Sequence, residues 1–170
     1  KYIIMADGKG TRWNNHQNIP KHFVEVDGET ILARVVRLLR TFDSAADVII
    51  TSHDPRYEIQ GARRYEPQNN VLEIDRFTAI ENDVCFLYGD TYYSEEAMKK
   101  IVTYQNGDVT FFGNHRSIVA IKVTNAQTFT HHVGRVRQLF LEGKICVLIL
   151  FKILLCRSQC FLTLSVQYTR

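Results

Sequence analysis

Two short stretches of this chain concentrate the residue types that phosphate chemistry needs. The first is Gly8-Lys9-Gly10-Thr11-Arg12, which directly follows the apolar run Tyr2 to Ala6 and is followed in turn by Pro20-Lys21. Gly8 and Gly10 leave room for backbone N–H groups to approach phosphate oxygens with no side chain in the way. Thr11 adds a hydroxyl donor, Arg12 a planar fork of donors for bidentate phosphate binding, and Lys21 a compact positive charge. The second stretch is Gly89-Asp90, at the end of the apolar run Val84 to Tyr88. A carboxylate there is a hard oxygen ligand, adequate for half of an Mg2+ site completed by phosphates and water. An Asp at a strand end is also a common turn former.

Spacing excludes the commoner phosphate motifs. A Walker loop needs four residues between its first Gly and a Gly-Lys-Ser/Thr end, and the dinucleotide fingerprint needs a final glycine where Trp13 stands. Asp7 puts a carboxylate beside the glycine loop, unfavourable for a polyanion unless it turns away, bonds ribose or base, or helps hold a cation. Glu66-Pro67-Gln68-Asn69-Asn70 offers amides able to donate and accept, as reading a base requires, and equally well forms a turn. The six histidines, among them the adjacent His131 and His132, have no metal-binding spacing. Ser94 and Ser117 lack a nucleophile elbow.

The elements that must position these residues follow from periodicity. Tyr2 to Ala6 reads as a buried central strand. Thr30 caps a helix whose Ile31, Val35, Leu38 and Phe42 share one face, and Asp47 to Thr51 is the next strand. This βαβ unit implies a parallel pair. A helix from about Val71 to Ile80 leads to the strand Val84 to Tyr88. Ser94, with Glu95 and Glu96 behind it and Lys99 and Lys100 later, starts a helix to about Tyr104. Asp108 to Phe112 and Ile118 to Val123 read as strands, and Asn125 caps a last helix carrying Phe129, Val133, Val136 and Phe140 on one stripe. The expected architecture is α/β, three layers around a mostly parallel twisted sheet. In such sheets ligands gather beyond the carboxyl ends of the strands, which is where both chemical stretches fall.

Composition narrows the partners. With 170 residues, 45% hydrophobic content and a net charge of +3, the chain fits one globular domain and carries no basic concentration that would mark nucleic acid or an anionic membrane as its partner. The first residues lack the apolar core of a signal peptide, so the expectation is a cytoplasmic protein. Cys85, Cys146, Cys156 and Cys160 have no metal-knuckle spacing and read as reduced thiols. Residues 1–145 form the expected domain, read as partial, with its C-terminal portion truncated. Residues 146–170 differ: the apolar run Ile145 to Leu155 is too short to span a bilayer, and no acidic residue follows it. A terminal buried strand, an interfacial anchor, and a frameshifted or truncated end all fit that composition.

The full string Gly8-x-Gly10-Thr11-Arg12, eight residues, Pro20-Lys21, then Val24-x-Val26-x-Gly28 before a helix resembles the start of the nucleotidyltransferases that make nucleotide-activated sugars, phosphocholine cytidylyltransferases included. The resemblance implies a Rossmann-like nucleotide-diphospho-sugar transferase fold and transfer of a nucleoside monophosphate from a nucleoside triphosphate to a phosphosugar or phospho-alcohol, with release of pyrophosphate. It implies Arg12 and Lys21 as catalytic residues, Ala6, Gly8, Gly10, Thr11 and Asn70 as nucleotide-binding, and Asp90 as the ligand of Mg2+. The family has a second metal-binding Asp on a later strand; Asp108, the last aspartate, precedes its strand instead of ending it. Two alternatives stand beside this reading: guanylyl transfer to a molybdenum-cofactor precursor, and an inactive nucleotide-binding fragment.

Overall fold

A computed structural model describes residues 1–8, 19–68, 72–78, 80–114, 117–145 and 161–163. In chain order the elements are β1 (Tyr2–Met5), β2 (Glu25–Val26), β3 (Glu29–Thr30), α1 (Ile31–Phe42), β4 (Val48–Thr51), β5 (Arg63–Tyr65), β6 (Val84–Tyr88), α2 (Glu95–Thr103), β7 (Val109–Gly113), β8 (Ile118–Val123), α3 (Ala126–Leu141) and β9 (Phe161–Thr163). Short 3₁₀ turns lie at Lys21–Phe23, Pro55–Tyr57 and Glu73–Arg76.

Every residue of β1 is buried. Its side chains alternate between two cores: Tyr2 and Ile4, with Ala6 beyond the strand, join Leu32, Val35 and Leu39 of α1 and Met98 and Ile101 of α2. Ile3 and Met5 join Phe129 and Val136 of α3 on the other face. A strand apolar at every position is what a sheet covered on both faces requires. The layers are therefore α1 and α2, the sheet, and α3, in the strand order β5-β4-β1-β6-β8-β7-β9.

The first four strands of that order are mutually parallel, and Tyr65, Thr51, Met5 and Tyr88 stand in one register row at their carboxyl ends. β8 runs antiparallel to both β6 and β7, while β9 adds to β7 in parallel. The expected mostly parallel α/β sheet is thus correct, with one reversed strand. Thr30, Ser94 and Asn125 cap the three helices through their side-chain oxygens, as their types and positions imply. Among the described residues no helix is long and apolar enough to cross a membrane.

The helix expected from about Val71 to Ile80 is not formed. Its place holds the 3₁₀ turn Glu73–Arg76, and Val71 and Ala79 lie outside the described residues. Ile74 and Phe77 both enter the second core at a spacing of three, the repeat of a 3₁₀ turn. The Asp75 carboxylate accepts from the Leu72 N–H and from Arg137 of α3, which holds the turn in place. Two features escaped the sequence reading. Edge strand β5 is mostly charged, as edges often are. The β2–β3 ribbon turns through Asp27 and Gly28 at φ 56° and 77°, a turn with both central residues left-handed, for which Asp-Gly is a strong signal. The apolar run Ile145 to Leu155 lies almost wholly outside the described residues, as do Cys146, Cys156 and Cys160; Cys85 is a buried free thiol.

One charged residue works inside the sheet layer. Lys122 of β8 reaches to the end of α2 and donates to the carbonyls of Ile101, Val102 and Tyr104, at 3.4, 2.9 and 2.6 Å. These are the carbonyls a helix C-terminus leaves unsatisfied, at the negative end of its dipole. Replacing Lys122 with Met keeps the stem and removes the donors; unfolding in urea is expected to reveal a loss of about 1–3 kcal/mol.

Candidate functional site at the carboxyl edge of the sheet

The register row from Tyr65 to Tyr88 makes four segments emerge side by side: residues after β1, β4, β5 and β6. From β1 the next strands in sequence, β4 and β5, lie to one side and β6 to the other, so the order reverses between β1 and β6. A crevice opens at such a reversal. Gly8 leaves β1 and Gly89-Asp90 leaves β6 at this point.

Lys21 and Asp90, 69 positions apart, meet there: Lys21 Nζ lies 3.2 Å from Asp90 Oδ2. Pro20 in an extended conformation starts the 3₁₀ turn that carries Lys21, and the side chains remain 44% and 40% exposed. Gly89 allows this approach. A Cβ at position 89 would stand 3.0 Å from Ile4 Cγ2, 3.1 Å from His22 Cδ2 and 3.2 Å from the Met5 carbonyl, tight enough that its neighbours would have to shift.

Beneath the pair lies His22, buried and 2.9 Å through Nδ1 from the Tyr57 hydroxyl. Burial pushes the imidazole down to about 4 and the Tyr57 phenol up to about 12. The ring is therefore neutral at pH 7, and a single hydrogen bond joins its Nδ1 to the phenol. This contact ties the turn after β4 to the turn that bears Lys21.

The Asp90 loop is tied a second time. Arg34 of α1 donates through Nε to the Tyr93 carbonyl at 2.9 Å, and its guanidinium carbon lies 4.5 Å from the centre of the Tyr92 ring. The Tyr92 hydroxyl donates to Asp27 Oδ2 at 3.3 Å in the β2–β3 turn. The buried Tyr93 hydroxyl donates to the carbonyls of Tyr88 and Val119. Sequence reasoning missed Arg34, Tyr92 and Tyr93; the only signal was a pair of tyrosines just after Asp90. It also missed Arg76, whose Nη2 lies 4.0 Å from where a Cβ on Gly8 would be, because the expected helix obscured its turn.

Of the residues singled out in the sequence, Ala6, Gly8, Lys21 and Asp90 are placed on this edge. Gly10, Thr11, Arg12 and Asn70 lie outside the described residues. Asp7 turns toward His53, whose backbone N–H and Nδ1 both meet its carboxylate. Asp108 precedes β7 at the opposite edge and accepts from Asn125 and Thr128 at the start of α3, so it does not approach Asp90. His131 and His132 pack edge to face on α3, and among the described residues no three His, Cys, Asp or Glu side chains are grouped to hold a metal.

No protein-family model matches the chain, and no curated protein matches it. Its structure is similar to that of the CTP:phosphocholine cytidylyltransferase from Streptococcus pneumoniae, at 14% identity and a TM-score of 0.61 over 97% of this chain and 90% of that one. A nucleotidyl transferase from Methanothermobacter is similar at 13% identity and a TM-score of 0.63, over 96% and 86% of the two chains. The UDP-glucose pyrophosphorylase from Acinetobacter baumannii gives 10% identity and a TM-score of 0.60, over 98% and 86%. The chain has the nucleotidyltransferase fold.

His22 makes a measurable statement about stability. Its folded pKa of about 4 lies below the ordinary 6.5, so the unfolded chain takes up the proton first on acidification. The contribution is complete above pH 6.5 and is lost as pH falls toward 4, by at most about 3 kcal/mol. Urea unfolding of wild type and His22→Gln across this range is expected to show the acid loss reduced in the variant.

Proposed function

We propose that this chain is a nucleotidyltransferase that moves a nucleoside monophosphate from a nucleoside triphosphate to a phosphorylated small molecule, a phosphosugar or phospho-alcohol. The observation that carries this is the meeting of Lys21 with Asp90 at the strand-order reversal beside Gly8. A cation for phosphate and a carboxylate for a divalent metal, reached from separate parts of the chain, converge where this fold offers a ligand crevice. The similarity of the fold to a phosphocholine cytidylyltransferase and a UDP-glucose pyrophosphorylase supports the same reading.

In the reaction a phosphate oxygen of the acceptor attacks the α-phosphorus of the triphosphate. The new P–O bond forms as the bond from the α-phosphorus to the bridging oxygen of the β-phosphate breaks, and pyrophosphate leaves with that electron pair. Gly8 and Gly10, with Thr11, accept the triphosphate on backbone and hydroxyl donors, and Ala6 and Asn70 contact the nucleoside. Arg12 and Lys21 offset charge on the phosphates and hold donor and acceptor in line. Asp90 fits Mg2+ as a single exposed carboxylate of the kind this ion uses beside phosphates and water. When bound, the ion would neutralise phosphate charge between donor and acceptor.

A second reading, nucleotide binding without turnover, is favoured by Asp108, which is engaged at the opposite edge and supplies no second acid beside Asp90. One pair of measurements separates the two: binding of ATP, CTP, GTP, UTP and dTTP with Mg2+, and pyrophosphate release with phosphocholine or hexose 1-phosphates as acceptors. Turnover supports transfer, and binding alone supports the second reading. Arg12→Ala and Asp90→Asn are each expected to lower pyrophosphate release by about 100-fold or more with the fold intact. Full release from Arg12→Ala would overturn the assignment.

A further inference from the structure

Asp7 and His53 form a pair that the transfer reaction does not use. Asp7 stands between β1 and Gly8, so its carboxylate is placed one residue from the glycine turn. His53 follows β4, the neighbouring parallel strand, and meets that carboxylate three times: its backbone N–H lies 3.1 Å from Oδ1, and its Nδ1 lies 3.0 and 2.9 Å from Oδ1 and Oδ2. The two-oxygen contact fixes the ring while leaving it 56% exposed, against 16% for Asp7.

Among the described residues, the other groups facing this imidazole come from the segment after β5. They are the Glu66 carboxylate and the Pro67 carbonyl, which accepts from the ring. Arg64 of β5 pairs with Glu66 at 2.5 Å and also donates to the Ser52 carbonyl beside His53. These described neighbours are acids and an acceptor, and the Asp7 hydrogen bond is the largest influence raising the pKa of the ring above the ordinary value.

A carboxylate beside a triphosphate loop repels the ligand that loop would bind, and a cation held against it reduces that repulsion. The geometry points to His53 as a determinant of nucleotide affinity: its imidazolium, clamped on Asp7, offsets the carboxylate next to Gly8 and so favours a nucleoside triphosphate on the glycine loop. This rests on the triphosphate reading of that loop. It adds a residue on a different strand and makes nucleotide affinity depend on pH. The positive charge is present below the pKa of the paired imidazole and is lost as pH rises through it, so the favourable contribution is lost in the same direction.

The test is calorimetric binding of ATP, CTP, GTP, UTP and dTTP with Mg2+ from pH 5.5 to 8.5, using wild type, His53→Gln and the double variant Asp7→Asn with His53→Gln. The triphosphate titrates in this range too, so the readout is the difference between proteins at each pH. His53→Gln, neutral throughout, is expected to bind about 5- to 10-fold more weakly than wild type at the acid end and equally at the alkaline end. The double variant, which removes the carboxylate charge as well, is expected to recover acid-end affinity to within about twofold of wild type. Equal acid-end affinity of wild type and His53→Gln would overturn the inference, as would a double variant that binds no better than His53→Gln. If none of the five nucleotides binds wild type, the triphosphate reading itself fails and takes this inference with it. The double variant guards against mere misfolding, because a folding defect would not be repaired by a second substitution in the same pair.

Discussion

Burial of β1 on both faces is the constraint from which the rest of the structure follows. Each side chain from Tyr2 to Met5 has a core to enter, so neither face tolerates a one-residue slip, and the register with β4 and β6 is fixed. That register brings Tyr65, Thr51, Met5 and Tyr88 into one row. The loops beyond them have no freedom to start at different heights, and Gly8, His53 and Asp90 inherit their positions from it. Packing therefore sets the geometry of the polar edge, although no residue of that packing bears chemistry.

Above this base the edge is held by short, specific ties. Arg34, Tyr92 and Asp27 connect α1, the Asp90 loop and the β2–β3 turn; His22 and Tyr57 connect the turn that bears Lys21 to the turn after β4. Each contact joins segments far apart in sequence. Together they hold Lys21 and Asp90 at one point from two directions, so their meeting does not depend on the ion pair alone.

Much of this was legible in the sequence because its signals are local. The unbroken apolar runs at Tyr2 and Val84, the caps Thr30, Ser94 and Asn125, and the stripe through Phe129 and Val136 each need only a few neighbouring residues to be read. The two motifs, Gly8 with Lys21 and Asp90, were legible and expected beyond the carboxyl ends of their strands, but the direct contact of Lys21 with Asp90 at the reversal of strand order was not. What escaped depends on partners elsewhere. Strand β5 is a strand because β4 offers a ladder to two arginines and a tyrosine. The residues near Ile74 look helical until Asp75 is seen tied to Leu72 and Arg137. Asp7 looks like an unfavourable charge until His53, 46 positions later, is found against it.

The exposure of Lys21 and Asp90 has a consequence for how this edge can work. An ion pair open to water contributes little to folding, because solvent already satisfies both charges nearly as well. Either partner can therefore be drawn away, Lys21 by an anion and Asp90 by a cation, with almost no penalty to the sheet beneath. Stability resides in the apolar strand layers, and the Lys21–Asp90 pair is one that the fold can do without. The edge is thus free to change its ligands while the scaffold keeps its register.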